Sequence, residues 1–282
     1  MRSHTTVLRR SDRFELGLFQ AVGQERGELR CAHARSHLIV IPRSVVAINQ
    51  AGRGEKIASP VRAVFYNQGC PYSARSVCSL RETAVFIRVP TAVLADAIRP
   101  HDPRVDARGE KPLAFSDGPL SDAVFWQLTE LSRHPTLPDA DAVLASAVET
   151  ILANAYQERL RRAPGRHGIN DDVYVARAQE LISLGLSAEV TLREIAERVG
   201  VSPSQLCEAF KRRLGMTPRA FRECLRMRVA ATELSGRLGV APLASRLGYT
   251  EPAVFASEFR RRFGLSPEHA RARLRLHHPA GC

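Results

Sequence analysis

The feature that most constrains the fold of this chain is an internal repeat in its last third. Segment 191–218 aligns with segment 239–267, with one residue inserted in the second copy. Apolar, glycine and proline positions agree along nearly the whole alignment. The matched pairs include Ile195 and Leu243, Ala196 and Ala244, Gly200 and Gly248, Phe210 and Phe259, Gly215 and Gly264, and Pro218 and Pro267.

Each copy predicts a short helix, a tight turn and a second helix. In the first copy, Thr191-x-x-Glu194 is a capping box at a helix start. Gly200 suits a chain reversal that requires a positive φ. Ser202-Pro203-x-Gln205 is a second capping box, with proline at the first helical position, where its missing N–H costs nothing. This order of elements is the helix-turn-helix pattern.

The second copy repeats the pattern, with Thr250 as the expected helix cap and Gly264 as the expected helix end. Residues 218–235 predict one helix between the copies, about 27 Å long at 1.5 Å per residue. Major-groove segments on one face of DNA recur about every 34 Å. A connector of this length could therefore place two reading helices in successive grooves.

A family resemblance runs through both units and the helix between them. It is carried by Ile195-Ala196, Gly200-Val201-Ser202, Leu206, Phe210-Lys211, Gly215-Met216-Thr217-Pro218, Leu225-Arg226-Met227-Arg228, Ala231, Leu234, Leu243-Ala244, Gly248-Tyr249, Phe255 and Phe259-Arg260-Arg261-Arg262-Phe263-Gly264-Leu265-Ser266-Pro267. Over about residues 173–275 the sequence resembles the AraC/XylS family of bacterial transcription regulators. The resemblance implies a seven-helix DNA-binding module that follows a cupin-like β-barrel for effector binding or dimerisation. Segment 63–72 is similar to barrel strands of such regulators.

The sequence departs from this family in both reading helices. Members often carry arginine two residues before the phenylalanine, where this chain has Glu208 and Ser257. A glutamate can accept a hydrogen bond from cytosine, or it can pair with Arg212 on a solvated face. The second reading helix offers few hydrogen-bonding groups, so we expect it to dock mainly through Arg260, Arg261 and Arg262. The candidate DNA-contacting residues are Ser202, Ser204, Gln205, Cys207, Glu208, Lys211, Arg212, Thr250, Ala253, Ala256, Ser257, Arg260 and Arg261.

The first part of the chain has a different pattern of hydrophobic residues, which is typical of strands. Short β-branched or aromatic runs separated by turn formers predict antiparallel strands in a sandwich or barrel. They span 14–19, 38–41, 45–48, 61–66 and 84–89. Segments 119–132 and 139–162 then follow the helical period. These patterns predict an α+β chain, in which the resemblance implies a cupin-like effector or regulatory domain at 1–115, a helical dimerisation segment and linker at 116–168, and the DNA-binding domain at 169–282.

The second of those helices carries one apolar stripe, and two interpretations of it stay open. The stripe consists of Leu144, Val148, Ile151, Ala155 and Tyr156. It could pack back onto the strands, or it could pair with a second copy of the chain. The basic, Pro/Gly-containing segment 161–168 is the best candidate for a linker to the repeat.

Charge and cysteine content narrow the function classes. The 282 residues carry 41 Lys and Arg against 29 Asp and Glu, for a formal charge of +12, which favours a polyanionic partner. No apolar run approaches the roughly 18 residues of a membrane span, and residues 1–30 show no secretory signal. The six cysteines form no CxxC pair. Reduced thiols in the cytoplasm are the plain expectation.

Enzymatic and metal chemistry find little support. Cys31-x-His33-x3-His37 is the only cluster of metal-ligand residue types, and we interpret it as a surface loop entering a strand. Gly52-Arg53-Gly54 is interpreted as a hairpin turn. Cys207 and Cys224 lie in the DNA-binding module, where Cys207 could touch DNA or sense oxidants, although a passive thiol is the preferred interpretation. No catalytic motif is present, so we expect no enzyme, metal or cofactor.

The expected function is sequence-specific transcription regulation. Double-stranded DNA is the expected partner, with a homodimer, a small-molecule effector and RNA polymerase as further candidates. A cupin-fold enzyme or sensor that uses the helical module for association is the alternative. A DNA-repair alkyl acceptor would need a metal-held cysteine cluster near the N-terminus, which the sequence lacks.

Overall fold

A computed structural model describes residues 2–22, 29–50, 55–77, 81–161, 169–187 and 190–275. The strands are β1 Arg2–Arg10, β2 Glu15–Val22, β3 Leu29–His33, β4 Leu38–Pro42, β5 Val46–Gln50, β6 Glu55–Ala58, β7 Arg62–Tyr66, β8 Pro71–Ser76, β9 Arg81–Arg88 and β10 Asp117–Pro119. The helices are α1 Thr91–Ile98, α2 Asp122–Leu131, α3 Ala140–Arg161, α4 Ile169–Leu184, α5 Leu192–Val199, α6 Pro203–Leu214, α7 Pro218–Glu233, α8 Val240–Arg246, α9 Pro252–Phe263 and α10 Pro267–Arg275, with a 3₁₀ turn at Pro103–Arg108.

The strands form two antiparallel sheets. The larger has the order β1-β2-β9-β4-β7-β10 and the smaller the order β3-β8-β5-β6. Within the described ranges no strand of one sheet pairs with a strand of the other. The expected cupin-like barrel is therefore not closed. At one edge β10 has only three residues and ends at Pro119, which cannot donate to a further strand, and α3 covers this edge so closely that a Cβ on Gly118 would lie 2.6 Å from Ala155 Cβ.

All five predicted strands are present, but the sequence patterns missed β1, β3, β6, β8 and β10. These strands are short or rich in polar and charged residues, as in the PYSARS sequence of β8. They are held by pairing with neighbours, as β8 is by β3 and β5. Alternating hydrophobicity does not mark such strands, so sequence periodicity could not find them.

One face of the larger sheet is covered by helices. Leu16, Ile39, Phe65 and Ile87 lie in the same core as α1, α2 and α3. The apolar stripe of α3 is buried in this core. The stripe therefore packs back onto the chain itself, and a dimer surface on α3 would have to use another face of this helix.

Helices α4 to α10 form the C-terminal module. One helix-turn-helix unit comprises α5 and α6, the other comprises α8 and α9, and α7 connects them. Apart from Arg161, the candidate linker at 161–168 lies outside the described residues, as do the turn at 52–54, Cys78 and Cys282. None of the described helices combines the length and the apolar content that a membrane span requires.

Candidate nucleic-acid interface

The first helix-turn-helix unit has the local geometry that its sequence predicts. Thr191 Oγ1 accepts from Glu194 N at 3.2 Å, and Glu194 Oε2 accepts from Thr191 N at 2.7 Å. Gly200 ends α5 at φ 84°, in the left-handed region that favours glycine. Ser202 caps α6 in a second capping box with Gln205. These local interactions fix the angle between the two helices of the unit.

The second unit is capped differently. Glu251, not Thr250, is the N-cap residue of α9, and no side chain caps this helix. The prediction for Thr250 was wrong because Pro252 takes the first helical position, so the cap is the residue directly before it. The turn glycine does match its counterpart, since Gly248 has φ 83°.

The reading helices α6 and α9 have nearly the same burial pattern. Leu206 and Phe210 of α6 correspond to Phe255 and Phe259 of α9, and all four are buried. The exposed positions correspond in the same way. On α6 they are Pro203, Ser204, Gln205, Glu208, Lys211 and Arg212. On α9 they are Pro252, Ala253, Val254, Ser257, Arg260 and Arg261.

One basic residue on each reading helix has no ion-pair partner among the described residues. Lys211 follows Phe210 and Arg260 follows Phe259, so the two occupy the same position in the repeat, and both are exposed. Their neighbours are engaged: Arg212 pairs with Asp171 of α4 at 2.9 Å, and Arg261 pairs with Glu258 at 2.6 Å. The repeat thus presents two matched, uncompensated positive charges on its outer surface.

The sequence has basic clusters at 211–213, 219–226 and 260–262, and several of their arginines hold the fold together. Arg262 was expected to dock on DNA, but it is 13% exposed and lies 3.3 Å from Asp122 of α2. Arg213 pairs with Asp172. Arg222 donates to Val190 O at 2.5 Å, and Arg226 donates to Leu186 O at 2.8 Å. The patches at 211–213, 219–226 and 260–262 are therefore less available to a polyanion than their sequence suggests.

The polar residues of α6 are constrained by their own helix. Gln205 Oε1 accepts from Ser202 N at 2.9 Å, which leaves the amide nitrogen as its available donor. In a bidentate contact to a base, Gln205 Oε1 would be shared between the base and Ser202 N. Glu208 Oε2 lies 3.4 Å from Arg212 Nη1, and the closer bonds of Arg212 to Asp171 leave Glu208 weakly held. Cys207 is half-buried.

The sequence analysis missed Val254. Its side chain is 54% exposed on α9, although it is one of the larger apolar residues of the chain. It occupies the position that corresponds to Gln205 of α6. Aligning the two copies position by position would have identified it as a candidate contact to a thymine methyl group.

The histidines and cysteines considered as metal ligands are not brought together. Cys31 and His33 are exposed on β3, but His37 is buried, which contradicts a surface loop at that residue. His37 Nδ1 accepts from Gln68 N at 3.2 Å, and Nε2 lies 3.0 Å from Thr91 Oγ1. Burial lowers the pKa of His37. The described residues contain no group of three side chains that could hold a metal.

Asp122 at the start of α2 joins the N-terminal helices to the module. Its Oδ1 accepts from Arg228 Nη2 at 2.8 Å, and its Oδ2 from Arg262 Nη1 at 3.3 Å. Arg228 is 2% exposed and also donates to Pro60 O at 2.6 Å and Leu120 O at 2.5 Å. Cys224 Sγ lies 3.9 Å from the same carboxylate, and burial raises the pKa of its thiol.

The fold and this surface define a helix-turn-helix DNA-binding protein with two units on one connector. A family model described as "Helix-turn-helix domain" matches residues 195–273. A probable thc operon regulatory protein of Rhodococcus erythropolis is 27% identical over 82% of this chain and 74% of its own length. Putative AraC-like transcription regulators of Streptomyces lividans and Streptomyces antibioticus are 27% and 30% identical, over 54% and 53% of this chain and 52% of their own lengths.

Solved structures are also similar. The AraC-type DNA-binding regulator from Chromobacterium violaceum is 25% identical, and the match covers 37% of this chain and 95% of that one with a TM-score of 0.35. ToxT from Vibrio cholerae with a bound unsaturated fatty acid is 9% identical, over 94% of this chain and 96% of that one, with a TM-score of 0.40. The helix-turn-helix match and the related regulators support an AraC-like, DNA-binding transcriptional regulator.

Proposed function

We propose that this regulator recognises its operator with α6 and α9 together, each helix in one of two successive major-groove segments. The observation that carries the proposal is the matched exposure of the two helices, with Lys211 and Arg260 unpaired at equivalent positions. The connector α7 has 16 residues, which is about 24 Å of helix. Together with the helix diameters, this length suits the groove spacing of about 34 Å.

The two units read DNA unequally in this proposal. The first makes polar contacts through Ser202, Ser204, Gln205, Cys207, Glu208, Lys211 and Arg212. The second has Thr250, Ala253, Ala256, Ser257, Arg260 and Arg261. It holds phosphates through its arginines and adds apolar contacts to thymine methyl groups through Ala253 and Val254. The first unit thereby supplies most of the base discrimination.

We also propose that the regulator acts as a homodimer in the cytoplasm, under the control of a small molecule, with RNA polymerase as a further partner. Because the apolar stripe of α3 is covered within the chain, a second copy must use other surfaces. Val7 on the outer strand β1 is 41% exposed and Leu160 near the end of α3 is 83% exposed. Exposed apolar side chains such as these favour self-association. The matched relatives are regulators, and we propose no enzymatic activity.

Binding-site selection with the full chain tests the proposal, followed by a genome-wide map of bound DNA. We expect two sequence boxes whose centres lie about 10 base pairs apart, one helical turn. The box contacted by α6 should show the stronger base preference. A double variant, Lys211→Gln with Arg260→Gln, should lose affinity for both boxes. A single short box, or binding that the double variant leaves unchanged, would contradict two-groove recognition.

A further inference from the structure

A cavity of about 600 Å³ lies between the larger sheet, the end of α2, and helices α4 and α7. Its volume is in the range of small-molecule sites. Leu18 and Thr83 of the sheet line one side, and Arg43 and Val45 of the β4–β5 turn continue it. The DNA-binding module supplies the opposite wall, which includes Leu186, Leu225 and Val229. The cavity is therefore partly apolar, and both parts of the chain form it.

Two arginines in this cavity lack an acidic partner among the described residues. Arg43 Nη2 donates to Ser132 Oγ at 2.5 Å, and no carboxylate reaches its guanidinium. Arg133 lies at the more exposed side and has no ion pair. The one acidic residue of the lining, Glu233, already pairs with Arg246. The site thus holds two positive charges and no free negative one.

This arrangement differs from the other arginines between the two parts of the chain. Arg228 and Arg262 share Asp122, and Arg75 pairs with Glu180 of α4. A cation removed from water without a partner is costly. Burial, reinforced by the charge of Arg133, lowers the pKa of Arg43 to about 9. An anion placed between the two guanidinium groups would give Arg43 a charged partner and offset the repulsion between Arg43 and Arg133.

We propose that this cavity binds a small organic anion. Its carboxylate or phosphate lies between Arg43 and Arg133, and its apolar part lies against Leu186, Leu225 and Val229. Arginine suits this role because its guanidinium donates two parallel hydrogen bonds to a carboxylate or phosphate. The inference deepens the proposed effector control and rests on it only for the regulatory consequence.

The regulatory consequence follows from the position of α7. Leu225 and Val229 lie on the helix that carries both helix-turn-helix units, and Arg43 and Arg133 belong to the N-terminal part. A ligand that touches both parts stabilises their docked arrangement over any arrangement in which they separate. Binding of the anion would in this way be coupled to the placement of the reading helices.

Fluorescence titration of the full chain with 8-anilinonaphthalene-1-sulfonate, an organic anion with an apolar body, tests the site. We expect one saturable site whose Kd rises at least tenfold in Arg43→Gln and in Arg133→Gln, because each variant removes a charge-assisted contact. Arg219→Gln is the matched control, since this residue of α7 is 89% exposed and away from the cavity. Equal probe affinity in the control and in both cavity variants would overturn the proposal.

Competition then assigns the anion class. Displacement of the probe by octanoate or benzoate, but not by octanol or benzyl alcohol, indicates a carboxylate ligand, and displacement by phenyl phosphate alone indicates a phosphate ester. Displacement by the neutral alcohols at the same concentrations as by the anions would refute the role of the arginines. Arg43→Lys, which keeps the charge, replaces Arg43→Gln if the latter does not fold.

DNA binding, measured on the same variants by fluorescence anisotropy, separates the two proposals. Normal DNA affinity without probe binding would remove the anion site and leave the proposed function intact. Normal probe binding by a protein that selects no DNA sequence would leave the anion site intact and refute the proposed DNA recognition.

Discussion

The two helix-turn-helix units share a backbone and a burial pattern but have different neighbours. The first unit packs with α4, in a core that also contains Val45, Ile57 and Val61 of the strand region. The second packs directly on α2, where Trp126 lies 6.3 Å from Phe259 and 5.9 Å from Phe263 between ring centroids. The two units are similar in sequence, but each packs against different elements outside the repeat.

The charges follow the same division. Arg212 and Arg213 of the first unit pair with Asp171 and Asp172 of α4, which belongs to the module itself. Arg262 of the second unit pairs with Asp122 of the N-terminal part. The comparison teaches that the second unit depends on the N-terminal part for its position, whereas the first depends mainly on its own module.

Trp126→Ala is the substitution that should destabilise one helix-turn-helix unit most strongly relative to the other. Removing a large buried aromatic side chain costs about 3–5 kcal/mol of unfolding free energy, and here it uncovers Phe259 and Phe263. Hydrogen exchange should accelerate in α9 and α10 far more than in α5 and α6. Chemical denaturation and exchange mass spectrometry would measure both effects. Equal acceleration in the two units would contradict the asymmetry.

Asp122→Ala should have the next largest effect. It leaves Arg228 buried without its carboxylate and releases Arg262, and loss of one partner of a buried pair costs about 3–5 kcal/mol. Because Asp122 is partly exposed, we expect about 2 kcal/mol in urea denaturation. The control is Asp96→Ala, which removes an exposed ion pair with Arg99 and should change stability by less than about 0.5 kcal/mol. Similar losses of unfolding free energy in the two variants would show that Asp122 does not hold the DNA-binding module to the N-terminal part.

Gln205→Ala and Val254→Ala compare the two reading faces at one repeat position. A bidentate amide–base contact is worth about 1–3 kcal/mol of discrimination. Since Gln205 Oε1 already accepts from Ser202 N, we expect the low end, about 1 kcal/mol, confined to the box read by α6. Val254→Ala should weaken only a preference for thymine in the other box. Binding-site selection with each variant measures these preferences. If Gln205→Ala changed the box assigned to α9 and Val254→Ala changed the box assigned to α6, the assignment of the boxes would be reversed.

Lys211→Gln and Arg260→Gln should have equal and smaller effects on sequence-independent binding. Each loss of a phosphate contact lowers the slope of log affinity against log salt by about 1. Anisotropy titrations with a scrambled duplex at several salt concentrations give these slopes. Arg104→Gln, in the exposed 3₁₀ turn, serves as the control. A slope change in only one of the two variants would mean that only one unit touches the backbone.

Glu208→Ala should have the smallest effect on stability, below about 0.5 kcal/mol, because an exposed i,i+4 pair contributes no more. If Glu208 faces the groove, its loss should raise affinity for scrambled DNA and erase one base preference. Titrations against cognate and scrambled duplexes at two salt concentrations decide this. Unchanged affinity for both would place Glu208 on a solvated face.

Sequence reasoning succeeded where local interactions decide the structure. The capping boxes at Thr191 and Ser202 and the left-handed glycine at Gly200 require only neighbouring residues, and all three are present. It failed for Thr250 because the inserted residue shifted the start of α9. It also failed for Arg262, since an arginine on a helix surface carries no sign of a carboxylate on α2, distant in the chain.

The position of the candidate interface could therefore be predicted from the sequence. Which of its basic residues are free of ion pairs could not. Which helices face outward follows from the apolar period of Leu206 and Phe210. Which arginines remain available depends on acidic residues of α2 and α4. The coverage of the β10 sheet edge by α3 is likewise a contact between distant parts of the chain, which strand patterns do not encode.

The single connecting helix also sets an angular relation between the units. Consecutive residues of an α-helix are rotated by about 100°, so one residue added to or removed from the middle of α7 would turn α9 by roughly that angle relative to α6. Three or four residues would restore the facing while changing the separation by about 5 Å. The phase of α7, more than its length, therefore fixes whether both helices can face the same side of a duplex.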